Sequence, residues 1–138
     1  MIKIDFAGVV DISFLKSNIK LTNPQIDYKL ENNEIIIAKI DGTSVGFIIL
    51  DYLWSHIPFI AFIWINEENR NKRIGKSLLD FLENYLVSNG QKFLFSSSME
   101  DALDAQKWHL KMGFIDSGII HAINENDIGE IFYKKALK

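Results

Sequence analysis

Between Asn69 and Leu78 the chain reads NRNKRIGKSL, which sets Arg70, Lys72, Arg73 and Lys76 around one glycine, Gly75, directly ahead of an apolar helical pattern. That arrangement suits an anion. The first turn of a helix leaves backbone N–H groups without partners and carries partial positive charge. A phosphate resting on that end satisfies both. The four side chains add full charges, and Gly75 lets a phosphate approach the backbone with no β-carbon in the way. In outline this is a pyrophosphate site. A P-loop would need glycine five positions before Gly75, and position 70 is arginine, so that reading fails. A nucleic-acid face would spread basic and aromatic residues over a surface. Here the other lysines are scattered among acids, which outnumber basic residues 18 to 15 for a formal net charge of −3. A solvated, charged helix start is the remaining rival.

The elements that must position this loop follow from periodicity. IKIDF reads as a short strand, and Val9 to Lys20 fits a helix loosely. TNPQIDYKLENN carries a helix start, with Asn23 as N-cap and Pro24 at the first helical position. EIIIAKI and TSVGFIILDYL form a predicted hairpin about Asp41-Gly42. WSHIP is a second turn. FIAFIWI is apolar on both faces, as expected of a central strand covered on both sides. From Ile74 the residues Leu78, Leu79, Leu82, Tyr85 and Leu86 recur at helical spacing, and Asn89-Gly90 closes that helix. KFLFSSS is another strand. Ser98 with Asp101 three residues on is a capping-box signal for a helix to about Met112, stopped at Gly113. Two strands, about 114–123 and 130–134, flank the polar NENDIG. The order is β-α-α-β-β-β-α-β-α-β-β, a mixed α/β sheet with helices on both faces rather than a doubly wound parallel fold.

Two stretches together, FIWINEENRNKRIGKSLLDFLENYLVSNG and AQKWHLKMGFIDSG, resemble the GCN5-related N-acetyltransferase (GNAT) superfamily. The family's loop pattern, Arg/Gln-x-x-Gly-x-Gly/Ala, is matched by Arg70, Arg73 and Gly75, with Arg73 where glycine is usual. Its second pattern, Ala-x-x-aromatic-Tyr-x-x-x-Gly-Phe, is matched by Ala105, Trp108, His109, Gly113 and Phe114, with histidine in the tyrosine position. The resemblance covers nearly the whole chain. It implies one acetyltransferase domain over residues 1–138, built on a mostly antiparallel sheet of six to seven strands.

What the resemblance implies chemically is direct attack of an amine on acetyl-CoA. The pyrophosphate would rest on Arg70, Lys72, Arg73, Ile74, Gly75, Lys76 and Ser77. The thioester carbonyl and pantetheine arm would lie along Ile63, Trp64 and Ile65, where backbone N–H groups can meet developing negative charge. His109 would be the acid for the leaving thiolate. The attacking ammonium must lose a proton, so a base within reach is required. Glu67 is the first candidate, with Glu68, Asp51, His56 and Glu100 behind it. Trp54, Trp64 and Trp108 could line a pocket for an apolar or aromatic acceptor, although core packing is the default for tryptophan. The acceptor would be the amine of a small molecule or peptide. No metal, nucleic acid or membrane is expected, and a homodimer is a further expectation. An acyl-CoA-binding sensor of the same fold, without turnover, is the alternative.

Composition agrees with a globular domain: 48% of residues are hydrophobic and 24% charged. The absence of cysteine excludes disulfides, thiolate metal sites and a cysteine nucleophile. MIKIDFAGVV, with Asp5 and no long apolar run, makes a poor signal peptide, and the nine-residue Ile57–Ile65 is too short for a span of about 20. A cytoplasmic protein is the expectation.

Overall fold

The strands and helices follow one another as β1 (Ile2–Phe6), α1 (Ile12–Asn18), α2 (Asn23–Glu31), β2 (Ile35–Ile40), β3 (Thr43–Leu53), β4 (Ile57–Ile65), α3 (Ile74–Ser88), β5 (Phe93–Met99), α4 (Leu103–Lys111), β6 (Ile115–Ile120) and β7 (Glu130–Ala136). The computed structural model describes residues 1–138. The strands form one mixed, mostly antiparallel sheet in the order β1-β2-β3-β4-β5-β7-β6, with β4 and β5 parallel. This is the element order and fold class that the periodicity predicts. The chain divides into two compact units, Met1–Leu50 with Phe62–Asn84 and Asp51–Ala61 with Tyr85–Lys138.

In the first unit, β2 and β3 pair Ile35 with Ile49, Ile36 with Ile48 and Ile37 with Phe47. Successive side chains point to opposite faces. One face therefore gathers Ile35, Ile37, Phe47 and Ile49 against Leu15 of α1. The opposite face carries Ile36 beside Phe6, whose ring meets Phe81 of α3 edge-on at 5.2 Å. With a helix on each face, both parities of these strands are buried, which is why they read as unbroken apolar runs. Each fully buried Ile or Phe side chain contributes about 1.5–3 kcal/mol. Asp41 (φ 49°) and Gly42 (φ 84°) make the hairpin turn.

Helix α2 begins one residue earlier than its sequence suggests. Thr22 is the N-cap: its hydroxyl accepts from the Gln25 amide, and the Gln25 side chain accepts from the Thr22 amide. Asn23 and Pro24 are already inside the helix. Its buried Lys29 donates to Glu34 Oε1 at 3.1 Å, just ahead of β2, and to the Leu50 carbonyl of β3 at 2.7 Å.

In the second unit, β7 pairs with both β5 and β6. The parallel register of β4 with β5 joins Phe59 to Phe95 and Ile60 to Ser96. The expected capping box at Ser98 does not form. β5 runs on to Met99, and α4 starts after Ala102, which makes no side-chain cap. Alternation explains the difference: Ser96 and Ser98 point to the buried face of the strand, and Ser97 lies between them with its hydroxyl donated to Glu130. The last two strands are Ile115–Ile120 and Glu130–Ala136, shifted by a few residues from their predicted limits. No helix is long and apolar enough to cross a membrane.

Candidate active site

The basic loop belongs to the first unit. β4 ends at Ile65, and the Asn66 amide donates to the Val45 carbonyl at 2.8 Å. A short 3-10 turn, Glu67–Asn69, carries the chain outward, with Asn69 Nδ2 donating to Asn66 Oδ1 at 2.6 Å. Arg70 reaches back, its Nε donating to the Ile65 carbonyl at 3.0 Å. That bond fixes the guanidinium at the end of β4 and leaves its terminal N–H groups for an anion. Lys72 Nζ meets Asn69 Oδ1 at 3.4 Å. Arg70, Asn71, Lys72, Arg73 and Lys76 are exposed.

Arg73 is left-handed, with φ +63°, as is Asn71 at +64°. This accounts for the glycine expected at position 73: only glycine takes that conformation without a steric cost. Arg73 holds this conformation at the cost of strain. Helix α3 then opens with Ser77, whose amide and hydroxyl both donate to the Arg73 carbonyl, at 3.0 and 3.1 Å. The amides of Ile74, Gly75 and Lys76 stand ahead of that first bond, where a helix offers N–H groups outward. Ser77 therefore braces the loop, with both its donors committed. Lys76 Nζ is 2.9 Å from Asp80 Oδ2, one turn on.

Gly46 of β3 allows β4 to come close just where the loop begins. A β-carbon there would lie 2.7 Å from the Trp64 carbonyl oxygen and 3.1 Å from Ile65 Cδ1. Ile63, Trp64 and Ile65 are half-buried, whereas Ala61 and Phe62 just before them are exposed. The expectation of a strand covered on both sides thus fails at the middle of β4. Glu67 is exposed in the 3-10 turn, in the same unit as the loop.

His109 lies in the second unit and is only 2% exposed. Nδ1 is 2.7 Å from the Ala105 carbonyl, which can only accept, so Nδ1 carries the proton of the neutral ring. Nε2 then accepts from the Ser96 hydroxyl at 2.7 Å. The ring stacks on Tyr133 at 4.3 Å and 6°, and the Tyr133 hydroxyl shares a hydrogen bond with Ser98 at 2.8 Å. Burial pushes the imidazole pKa down from its ordinary value, opposed by the Ala105 hydrogen bond and the charge of Glu130. Both nitrogens are held by the protein. The Gly-Phe end of the motif also has a local cause. Gly113 (φ +93°) closes α4, with its amide on the Leu110 carbonyl and the Phe114 amide on the His109 carbonyl. That is a Schellman ending, and its usual apolar contact is the Phe114 ring against His109 at 5.3 Å.

Among the other candidates, Asp51 is half-buried in β3, Glu68 is exposed next to Glu67, and Glu100 is exposed beyond β5. The exposed His56 lies in the turn, its Nδ1 at 2.9 Å from the Trp54 carbonyl. Trp54 is 81% exposed at φ +49°, so it is not a core residue. Trp64 and Trp108 are half-buried. The partners of His109 were not singled out from sequence. The signal was there in SSS, whose outer serines face the covered side of a strand.

β4 thus delivers the chain into a basic loop with left-handed Asn71 and Arg73, and from there into helix α3. Residues 12–114 match the model of the acetyltransferase (GNAT) family. The chain belongs to that family. The sequence matches no curated protein. Solved structures similar to this GNAT chain include Ard1 from Thermoplasma volcanium, at 15% identity and a TM-score of 0.85, covering 99% of this chain and 98% of that one. A GNAT-family acetyltransferase from Bacillus cereus shares 23% identity at a TM-score of 0.80, covering 100% and 99%. A Bacillus anthracis protein, described as a streptothricin acetyltransferase and solved with acetyl coenzyme A, shares 20% identity at a TM-score of 0.70. That match covers 75% of this chain, which spans only 62% of the length of its counterpart. At these identities the likeness is one of fold.

Proposed function

We propose that this GNAT chain is an N-acetyltransferase acting as one domain, which passes the acetyl group of acetyl-CoA to an amine of a small molecule or peptide by direct attack. The observation that carries the reading is the opening of α3. The amides of Ile74, Gly75 and Lys76 precede the first helical bond, with Arg70, Lys72 and Arg73 exposed beside them. These are donors and charges for a pyrophosphate. Backbone amides of Ile63 to Ile65 meet the pantetheine arm and the thioester oxygen, where negative charge develops on attack. The amine nitrogen bonds to the carbonyl carbon, the C–S bond breaks, and coenzyme A leaves as its thiolate. Glu67 takes the proton of the amine. The thiolate needs no buried acid: an alkyl thiolate is a far better leaving group than the amine, and it takes a proton from water. His109 serves as a positioning residue that locks α4 to β5 through Ser96.

A second reading, a coenzyme-A-binding sensor without turnover, draws on the same histidine, whose nitrogens are both engaged inside the protein. Calorimetry with acetyl-CoA, using ATP and a DNA duplex as controls, tests the loop. Micromolar binding selective for coenzyme A is expected, and equal binding of all three would overturn it. Release of free thiol in the presence of amines then separates enzyme from sensor.

A further inference from the structure

β4 is the middle strand of the sheet, with three strands on either side. A phenylalanine at the centre of such a strand should be covered. Phe62 is 42% exposed, and Ala61 before it is exposed as well. The ring is nonetheless held firmly from beneath. It lies 5.9 Å from Phe47, which is fully buried and also meets Phe14 at 6.0 Å and Trp64 at 5.7 Å. Phe14 and Trp64 are 6.0 Å apart, and all these spacings fall in the range favoured by aromatic pairs. Phe14 and Trp64, with Ile19 and Leu21 of the α1–α2 connection, are half-buried and pack against the core cluster to which Phe47 belongs.

From this surface we infer the acceptor class: a primary amine bearing an aromatic or bulky aliphatic group, seated on Phe62 with Phe14 and Trp64. The inference rests on the acetyltransferase reading above. Phe62 directly precedes Ile63 to Ile65, the segment assigned to the thioester. Strand alternation turns the Phe62 and Trp64 side chains to one side, together over Phe47, and that of Ile63 to the other. An amine attacking beside Ile63 has that aromatic wall for its substituent. Stacking on such a face rewards flat or bulky apolar groups, whereas a polyamine would leave its second charge against apolar rings.

The test compares phenethylamine, propylamine and spermidine as acceptors, with thiol release as the rate and calorimetry of acetyl-CoA as the binding control. Phenethylamine is expected to exceed the other two in kcat/KM by about tenfold or more. Phe62→Ala should collapse that ratio toward one and leave acetyl-CoA affinity unchanged. Phe62→Leu, which keeps apolar contact with Phe47, should give an intermediate ratio and guards against loss of fold. Equal rates for phenethylamine and propylamine, or a preference for spermidine, would overturn the assignment. So would weakened acetyl-CoA binding in Phe62→Ala with the fold retained, because Phe62 would then belong to the cofactor. If acetyl-CoA binds but phenethylamine neither reacts nor binds to the coenzyme-A-loaded protein, the acceptor class falls and the coenzyme site stands. Failure of the wild type to bind acetyl-CoA takes both down.

Discussion

His109 is neutral because its surroundings supply one acceptor, one hydroxyl and an aromatic face, and no room for a hydrated cation. Its pKa is lowered in the fold, chiefly by burial, whereas the unfolded ring titrates near 6.5. Below about pH 6.5 the unfolded chain therefore binds a proton that the folded chain refuses. The stability linked to His109 is present in full above that pH and is lost as pH falls toward the folded pKa. Thermal melts from pH 7.5 to 5.5 should show this decline, and His109→Gln should have a shallower slope. Parallel profiles would contradict the burial argument. Arg73 invites a second test, because its charge and its strain can be separated. Arg73→Gly removes both, and should raise stability by about 1 kcal/mol while weakening acetyl-CoA binding severalfold. Arg73→Ala removes only the charge, so binding should weaken with no gain in Tm.

At the scale of elements, the approach of β3 to β4 depends on one missing β-carbon. Gly46→Ala would drive a methyl group into the Trp64 carbonyl, a backbone atom that can yield only if β4 moves. Overpacking of this kind costs about 1–3 kcal/mol. It should also lower acetyl-CoA affinity, since Ile63 to Ile65 shift with the strand. A variant as stable as wild type, with unchanged affinity, would show that β4 has slack at this point. Helix ends were legible where glycine sets the geometry, as at Gly90 and Gly113, because the left-handed ending needs that residue. The starts of α2 and α4 were read less well. Asn23 and Ser98 are good capping residues by type, but capping depends on whether a side chain meets the open amides. Thr22 does, whereas Ser98 is turned toward Tyr133.

For the whole molecule, charge sets what the loop can bind. The net charge is −3, so the positive field is local to Arg70, Lys72, Arg73 and Lys76. A coenzyme pyrophosphate fits within that footprint, while a duplex needs contacts over many phosphates. Raising KCl from about 50 to 200 mM should weaken acetyl-CoA binding only severalfold, against the roughly 10³-fold or greater loss of a DNA-binding face. Calorimetry at both salts decides it, and binding of duplex DNA with a steep salt slope would refute the local site.

The sequence by itself determined the order of strands and helices, the mixed sheet and the basic loop. Apolar period, glycine conformation and clustered charge are properties of neighbouring residues. Only the tertiary structure decided which side chains face outward. His109 and Phe62 look alike in sequence terms, one polar residue in a motif and one apolar residue in a run, yet the first is enclosed and the second open. Exposure depends on what comes from distant parts of the chain. Ser96 and Tyr133 close over the imidazole, and around Phe62 the packed rings leave one face uncovered.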